Sequence, residues 1–191
     1  MISLSEFSAQ LRPSRKSDAP FLQSLYEHWE ILAIWQSAPP SIALGQSQIE
    51  LFLSDDPGDS GSAYHFIVDA GGSAVGVAQI LEIDMFSRSC AVGVAFHPEA
   101  NTPRGLGTAV HFALLWFCFK VLGLNRCTGY VKDGNRRVID LCKRIGFREE
   151  GTMREARFMA GEFVGLVVLG ALASEFGQDW TTTVELGSAR A

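Results

Sequence analysis

The stretch Val92-Gly-Val-Ala-Phe-His-Pro-Glu-Ala-Asn-Thr-Pro-Arg-Gly-Leu-Gly-Thr-Ala109 runs directly into an apolar segment at 110–122, and this junction constrains the fold more than any other part of the chain. It predicts a strand joined to a helix through glycines. Gly105 and Gly107 let successive backbone N–H groups turn toward one point with no Cβ in the way, and the following helix adds the positive end of its dipole there. Such a turn holds phosphates. A Walker A loop would place Lys-Ser or Lys-Thr after its second glycine, and a dinucleotide fingerprint would have glycine where Val110 stands. Neither is present. The junction points to a pyrophosphate-bearing ligand of another kind, such as coenzyme A.

The flanking segments predict an α/β class with a mixed sheet. Residues 7–12 read as an edge strand ending at Pro13, and Ser17 as the cap of a helix from Asp18 to about Trp29, with Phe21, Leu22, Leu25 and Tyr26 on one face. Residues 37–41 and 54–59 read as loops, with a short helix at 46–53 between them. Residues 63–68 and 74–83, turned by Gly71-Gly72, form a hairpin, and 88–96 adds a third strand to an antiparallel meander. The helix at 105–122 is apolar nearly all round, with Phe112, Leu115, Trp116 and Phe119, so burial against the sheet is expected. A strand at 124–131 then lies parallel to 90–96 through a right-handed crossover. A second helix at 135–145 places Val138, Leu141, Cys142 and Ile145 inward and Arg136, Arg137, Asp140 and Lys143 outward. Two strands at 152–159 and 163–172, hinged at 160–162, close the sheet. Helices should therefore cover both faces.

With 191 residues and 47% apolar content the chain has enough material for one sizeable core. A single domain over 1–176 followed by a polar tail at 177–191 is expected. A net charge of −5 and scattered arginines argue against a nucleic-acid partner. The first six residues lack the basic start of a secretory signal, and the apolar run at 110–122 contains His111 and Lys120 and is too short to span a bilayer. We therefore expect a cytoplasmic protein with no membrane partner, as a monomer or homodimer. Cys90, Cys118, Cys127 and Cys142 form no C-x-x-C pair and have no histidine at zinc-site spacing, so no metal is expected and buried thiols are the reading.

The run Arg104-Gly-Leu-Gly-Thr-Ala109, then Leu122-Gly-Leu-Asn-Arg126, Asn135 on to Arg144-Ile-Gly-Phe147, Glu150-Gly-Thr-Met-Arg-Glu155 and Gly161-Glu-Phe163 together resemble the GNAT acetyltransferase superfamily. Within it the order is most similar to the ribosomal-protein N-terminal acetyltransferase (RimJ/RimL-like) branch. The resemblance covers nearly the whole chain. It implies the GNAT acyl-CoA N-acyltransferase fold and acetyl-CoA as co-substrate. The loop Arg104, Gly105, Leu106, Gly107, Thr108 and Ala109 would hold the pyrophosphate. Backbone groups from Val94 to Phe96 would bond the pantetheine arm and polarise the thioester carbonyl, and Asn135 would bond the arm from the next helix.

The family's catalytic side chains are less well matched. The glutamate that many members carry on the third meander strand is Ala91 here, and the serine three residues after the asparagine is Val138. The tyrosine that protonates the departing thiolate falls on Cys142, Thr102 stands where a Gln or Arg opens the usual loop signature, and Gly165 replaces the branch's aspartate. The departures bear on the catalytic residues and leave the fold untouched. Glu82 and Asp84 share a strand face and are candidates to take the amine's proton, directly or through one water, with Glu82 the principal one. Cys142 is the candidate acid, since two thiols have similar reference pKa values. His97 is a further candidate base.

A missing base matters less for a weakly basic amine, because an α-amine near pKa 8 is roughly one-tenth neutral at pH 7, whereas a lysine near 10.4 is almost wholly charged. Asp55, Asp56 and Asp59 offer attraction to a cationic acceptor, and Tyr26, Trp29, Trp35 and the Pro39-Pro40 loop fall in the acceptor-binding part of the resemblance. The expected function is acetyl transfer from acetyl-CoA to a primary amine of a small molecule or protein N-terminus by direct attack. The alternatives are a larger acyl-CoA, an acyl group delivered by an acyl carrier protein as partner, or a non-catalytic acyl-CoA-binding module.

Overall fold

A computed structural model of the protein describes residues 1–28, 63–159, 161–177 and 184–186. Its elements in chain order are β1 Ile2–Leu4, β2 Ala9–Pro13, α1 Ala19–Tyr26, β3 Tyr64–Ala70, β4 Ser73–Asp84, β5 Ser89–Phe96, α2 Leu106–Trp116, β6 Arg126–Lys132, α3 Arg136–Arg144, β7 Arg148–Met159, β8 Glu162–Leu172 and β9 Val184–Leu186. The described strands form one sheet in the order β7-β8-β6-β5-β4-β3-β2-β1-β9. The meander β3-β4-β5 is antiparallel, and the crossover through α2 makes β5 and β6 the parallel pair.

Alternation along the central strands sends side chains to two layers. Phe66, Val68, Ala78 and Ile80 pack with Leu106, Val110, Ala113 and Leu114 of α2 and with Ile139 and Cys142 of α3. Ile67 and Val77, one residue out of phase, point to the opposite face and meet Ala19, Leu22, Leu25 and Tyr26 of α1. Helices thus cover both faces, as expected. Downstream of α2 the backbone widens into a π-helical turn, Phe117–Val121, closed by the Leu122 N–H donating to the Phe117 carbonyl at 3.0 Å.

Several local expectations change. The strand placed at 7–12 starts at Ala9 and is not an edge, because buried Ile2 and Leu4 bring β1 alongside it and β9 pairs with β1 in turn. Part of the segment 177–191 is therefore a strand. Phe176 just before it stacks on Phe112 at 4.9 Å between ring centroids and meets Phe119 edge-on at 5.3 Å. Ser17 does not cap α1. Instead the Asp18 carboxylate accepts from the Arg15 N–H at 2.8 Å, and Pro20 sits in the first turn, where its missing N–H costs nothing. Trp29, Trp35, the short helix at 46–53 and the loops at 37–41 and 54–59 lie outside the described residues.

One ion cluster ties α1 to the sheet. Arg12 on β2 donates to both oxygens of Asp18 at 2.8 and 2.7 Å and to Asp69 on β3 at 3.3 Å. Burial pushes the Asp18 carboxyl up, but its hydrogen bonds and charge contacts with Arg12, and the Arg15 N–H, leave it below its ordinary value. Removing the arginine strands a carboxylate that is 6% exposed. Arg12→Met should cost about 3 kcal/mol in chemical denaturation at pH 7. A carboxyl lowered by folding contributes stability above its unfolded pKa near 3.9, and that contribution fades as pH falls through the folded value. The difference between wild type and Arg12→Met should shrink below about pH 4.

Candidate active site

The sheet opens at its parallel pair. β5 and β6 are in register only at Ser89↔Arg126, Cys90↔Cys127 and Ala91↔Thr128. Beyond that point β5 stays paired with β4 as far as Phe96, and β6 stays paired with β8 as far as Lys132. The facing edges therefore part, and the backbone of Val92–Phe96 on that side has no strand neighbour to bond. The gap is a cavity of about 210 Å³ lined by Val92 to Phe96, by Gly129 to Lys132, and by His111, Asn135, Val138, Cys142 and Phe147. An extended ligand with amide groups, lying between the strands, would satisfy both edges.

At the outer end this gap runs into a second cavity of about 840 Å³, because Val94, Phe96, His111, Asn135 and Val138 line both. Its walls are the loop after β5, the first turns of α2 and one face of α3 from its cap Asn135 to Arg144, so two helix N-termini meet it. Gly105 adopts φ +95, a left-handed conformation that turns the chain into α2. At Gly107 an added Cβ would find only Phe96 at 3.5 Å and Leu141 at 3.7 Å, which are ordinary contacts. The glycine there leaves the approach to the helix N-terminus open. Arg104, Arg137 and Arg144 stand on the same walls. Two positive helix ends and three guanidinium groups have the charge that a phosphate requires.

Most of the expected cofactor residues come together here. Val94 and Phe96 line both cavities, and Arg104, Gly105, Gly107 and Thr108 line the outer one. Leu106 and Ala109 are buried in the core at 0% and 3% exposure, so only their backbone is available to a ligand. The Asn135 side chain accepts from the Val138 N–H at 3.3 Å, capping α3, while the residue lines both cavities. Cap and ligand contact coexist. Cys142 closes the inner end, and burial pushes its thiol up to about 11, so it stays protonated at neutral pH.

None of the other candidates lines the inner cavity, although His97 stands on the wall of the outer one. Glu82 is exposed where β4 bulges against β5, with φ +52, and lines neither cavity. Asp84 makes a turn, accepting from the Phe86 and Ser87 N–H groups at 2.8 and 2.9 Å. Its bonds to Ser87 hold its carboxyl below the ordinary range. At His97, Nδ1 accepts from the Glu99 N–H at 3.2 Å, which leaves Nε2–H to donate to Ser24 Oγ at 3.0 Å. Both ring nitrogens are occupied, so His97 holds the loop to α1 and is not free to act as a base.

Three residues missed in the sequence line these walls: His111, Arg137 and Arg144. Arg137 and Arg144 are seven residues apart, two turns along one face of α3, a spacing that was open to view. His111 was concealed in an apolar run. Its Nδ1 lies 2.7 Å from the Gly107 carbonyl, which can only accept, so Nδ1 carries the proton and Nε2 presents a lone pair. Burial pushes its pKa down, against the smaller upward pull of that bond, and keeps the ring neutral. Gly165 also gains an explanation: a Cβ there would lie 2.7 Å from Asp133 Oδ2.

Residues 9–148 match the family described as Acetyltransferase (GNAT) domain. The chain is 24% identical over 159 residues to spermidine N(1)-acetyltransferase of Escherichia coli (strain K12), covering 83% of each protein. It is 30% identical over 105 residues to YdaF of Bacillus subtilis (strain 168), provisionally named a ribosomal N-acetyltransferase, covering 55% of this chain and 57% of that one. In fold it is similar to the crystal structure of spermidine N-acetyltransferase from Vibrio cholerae in complex with CoA and spermine. The TM-score is 0.79 at 22% identity, over 88% of this chain and 98% of that one.

Gly107→Asp should remove CoA binding by calorimetry while leaving the melting temperature of the free protein nearly unchanged, since the side chain fits but its charge faces the phosphates. Arg144→Ala should weaken binding about tenfold at low salt and less at high salt. Unaltered affinity in Gly107→Asp would place the phosphate loop elsewhere.

Proposed function

Since the chain belongs to the GNAT acetyltransferase family and moves an acetyl group from acetyl-CoA to an amine, we propose that its acceptor is a primary amine of an aliphatic polyamine. Support comes from the relatives named spermidine N(1)-acetyltransferase, which align over 83% of the chain, and from a net charge of −5 that attracts polycations. The observation that carries the chemistry is the parted β5–β6 pair opening onto the arginine-lined groove. In this reading the pyrophosphate lies at Gly105–Thr108 with Arg104, Arg137 and Arg144 around it, and the pantetheine arm runs inward past Val94, Phe96, His111 and Asn135. The thioester then reaches Cys142.

Attack is direct, with no acyl-enzyme. The amine adds to the thioester carbonyl, whose developing charge is met by backbone N–H groups of the open β5 edge. Collapse expels the CoA thiolate, and the Cys142 thiol, protonated at neutral pH, donates its hydrogen to that sulfur. Glu82 lines neither cavity, so the amine's proton passes to water, and a proton from water restores the Cys142 thiol. The small inner cavity suits an acetyl group better than a long acyl chain. The wide arginine-lined groove suits the nucleotide half of CoA, which the arm of an acyl carrier protein would lack.

A second reading, an α-amine at a protein N-terminus as acceptor, is favoured by Ala91 and Val138, since a weakly basic amine has less need of the side chains absent there. The test is release of free CoA with spermidine against a peptide bearing a free N-terminus. Faster turnover of spermidine by tenfold or more supports the polyamine, and the reverse order supports the second reading. CoA binding with no release from any amine would make the chain a binding module. Cys142→Ala should lower kcat about tenfold with acetyl-CoA affinity unchanged. kcat/KM should rise with pH as the amine loses its proton unaided, and Glu82→Gln should change it less than about twofold, since Glu82 lines neither cavity.

A further inference from the structure

Three cysteines that are distant in sequence meet in the core. Cys90 on β5 and Cys127 on β6 face each other in the last stretch of parallel pairing, and Cys118 reaches them from the π-helical turn. The Cys90 sulfur lies 3.5 Å from that of Cys127 and 3.7 Å from that of Cys118, and all three sulfurs fall within 4.8 Å of one another. Cys118 and Cys127 are wholly buried and Cys90 is 4% exposed. All three are free thiols. The fourth cysteine, Cys142, belongs to the acetyl-transfer cleft and not to this cluster.

We propose that Cys90, Cys118 and Cys127 form a three-sulfur site for a soft monovalent metal ion of the Cu(I) class. Metal–sulfur bonds of about 2.3 Å set sulfurs about 4 Å apart around a three-coordinate ion, so the trio needs to spread by only a few tenths of an ångström. Zinc requires a fourth ligand, and a [4Fe–4S] or [2Fe–2S] cluster requires four. Among the described residues no further Cys, His, Asp or Glu joins the group, and the core around it is apolar, with Val110, Leu114 and Leu124 in the same cluster. Ligation turns the three thiols into thiolates and releases their protons, so the ion is held more tightly as pH rises. Soft thiolates select Cu(I). The π-helical turn is consistent with the assignment, because such turns are frequent at functional sites and this one carries Cys118.

The site is separate from the acetyl-transfer chemistry. It sits where β5 and β6 are still paired, one residue before their edges part. The test is an anaerobic titration of reduced, full-length protein with Cu(I) against a chromogenic Cu(I) chelator. One ion per chain is expected, with Cys118→Ala and Cys127→Ala each weakening the competition at least tenfold and Cys142→Ala leaving it unchanged. Because core variants can fail to fold, the wild type carries an independent readout: Cu(I) should protect Cys90, Cys118 and Cys127, but not Cys142, from alkylation on gentle unfolding. Wild-type competition no stronger than that of Cys118→Ala, equal protection of all four thiols, or Zn(II) bound as tightly as Cu(I) would overturn the assignment.

Discussion

The feature on which the rest of the structure depends is a sheet that fails to close. Three residue pairs hold β5 to β6, and after Ala91 and Thr128 the strands diverge while each keeps its other neighbour. An unpaired strand edge in a protein interior is costly unless something bonds it. An arm bearing amides, bonded to the open edge of Val92–Phe96 as proposed, would offset that cost. The right-handed crossover requires α2 to return over the same face, and that places its N-terminus at the mouth of the gap. The inner gap and the arginine-lined groove thus follow from one departure in strand pairing.

Charge is distributed to match. The chain as a whole is acidic, yet the described groove carries Arg104, Arg137 and Arg144 together with the positive ends of α2 and α3. A polyanionic cofactor and a cationic acceptor therefore see different fields on the same molecule. Within the cleft two titratable groups are held neutral: burial keeps Cys142 protonated and His111 unprotonated. A neutral histidine with Nδ1 fixed on the Gly107 carbonyl presents one acceptor, Nε2, and no charge where the two cavities meet.

Much of this was legible in the sequence where the signal is local. Glycines between a strand and an apolar helix mark the turn into α2 on the wall of the outer cavity, and the Gly71-Gly72 hairpin locates the meander. Contributions from distant segments left no such trace. The three-residue strand β1 is sheltered by β9, which lies in a polar tail, and a three-residue strand has no periodicity to read. His111 was submerged in an apolar run and gained its role only from the two cavities it lines. Arg137 looked solvent-facing because α3 was oriented by its apolar residues alone, although the groove takes one edge of its polar face. The cysteines taught the converse lesson, since wide spacing along the chain proved no barrier to contact within 4.8 Å. Glu82 shared a strand face with Asp84 only on the assumption of an unbroken strand, and a bulge with left-handed backbone breaks it.

The central claim is that the opened β5 edge and the α2 N-terminus form one continuous acetyl-CoA site. Hydrogen–deuterium exchange of the protein with and without acetyl-CoA tests it most directly. Protection should appear at the amides of Val94, Ala95, Phe96, Gly107 and Thr108 and at the start of α3, with none gained in β7 or β1. Protection confined to the α2 turn, or appearing away from both cavities, would contradict a ligand lying between the parted strands.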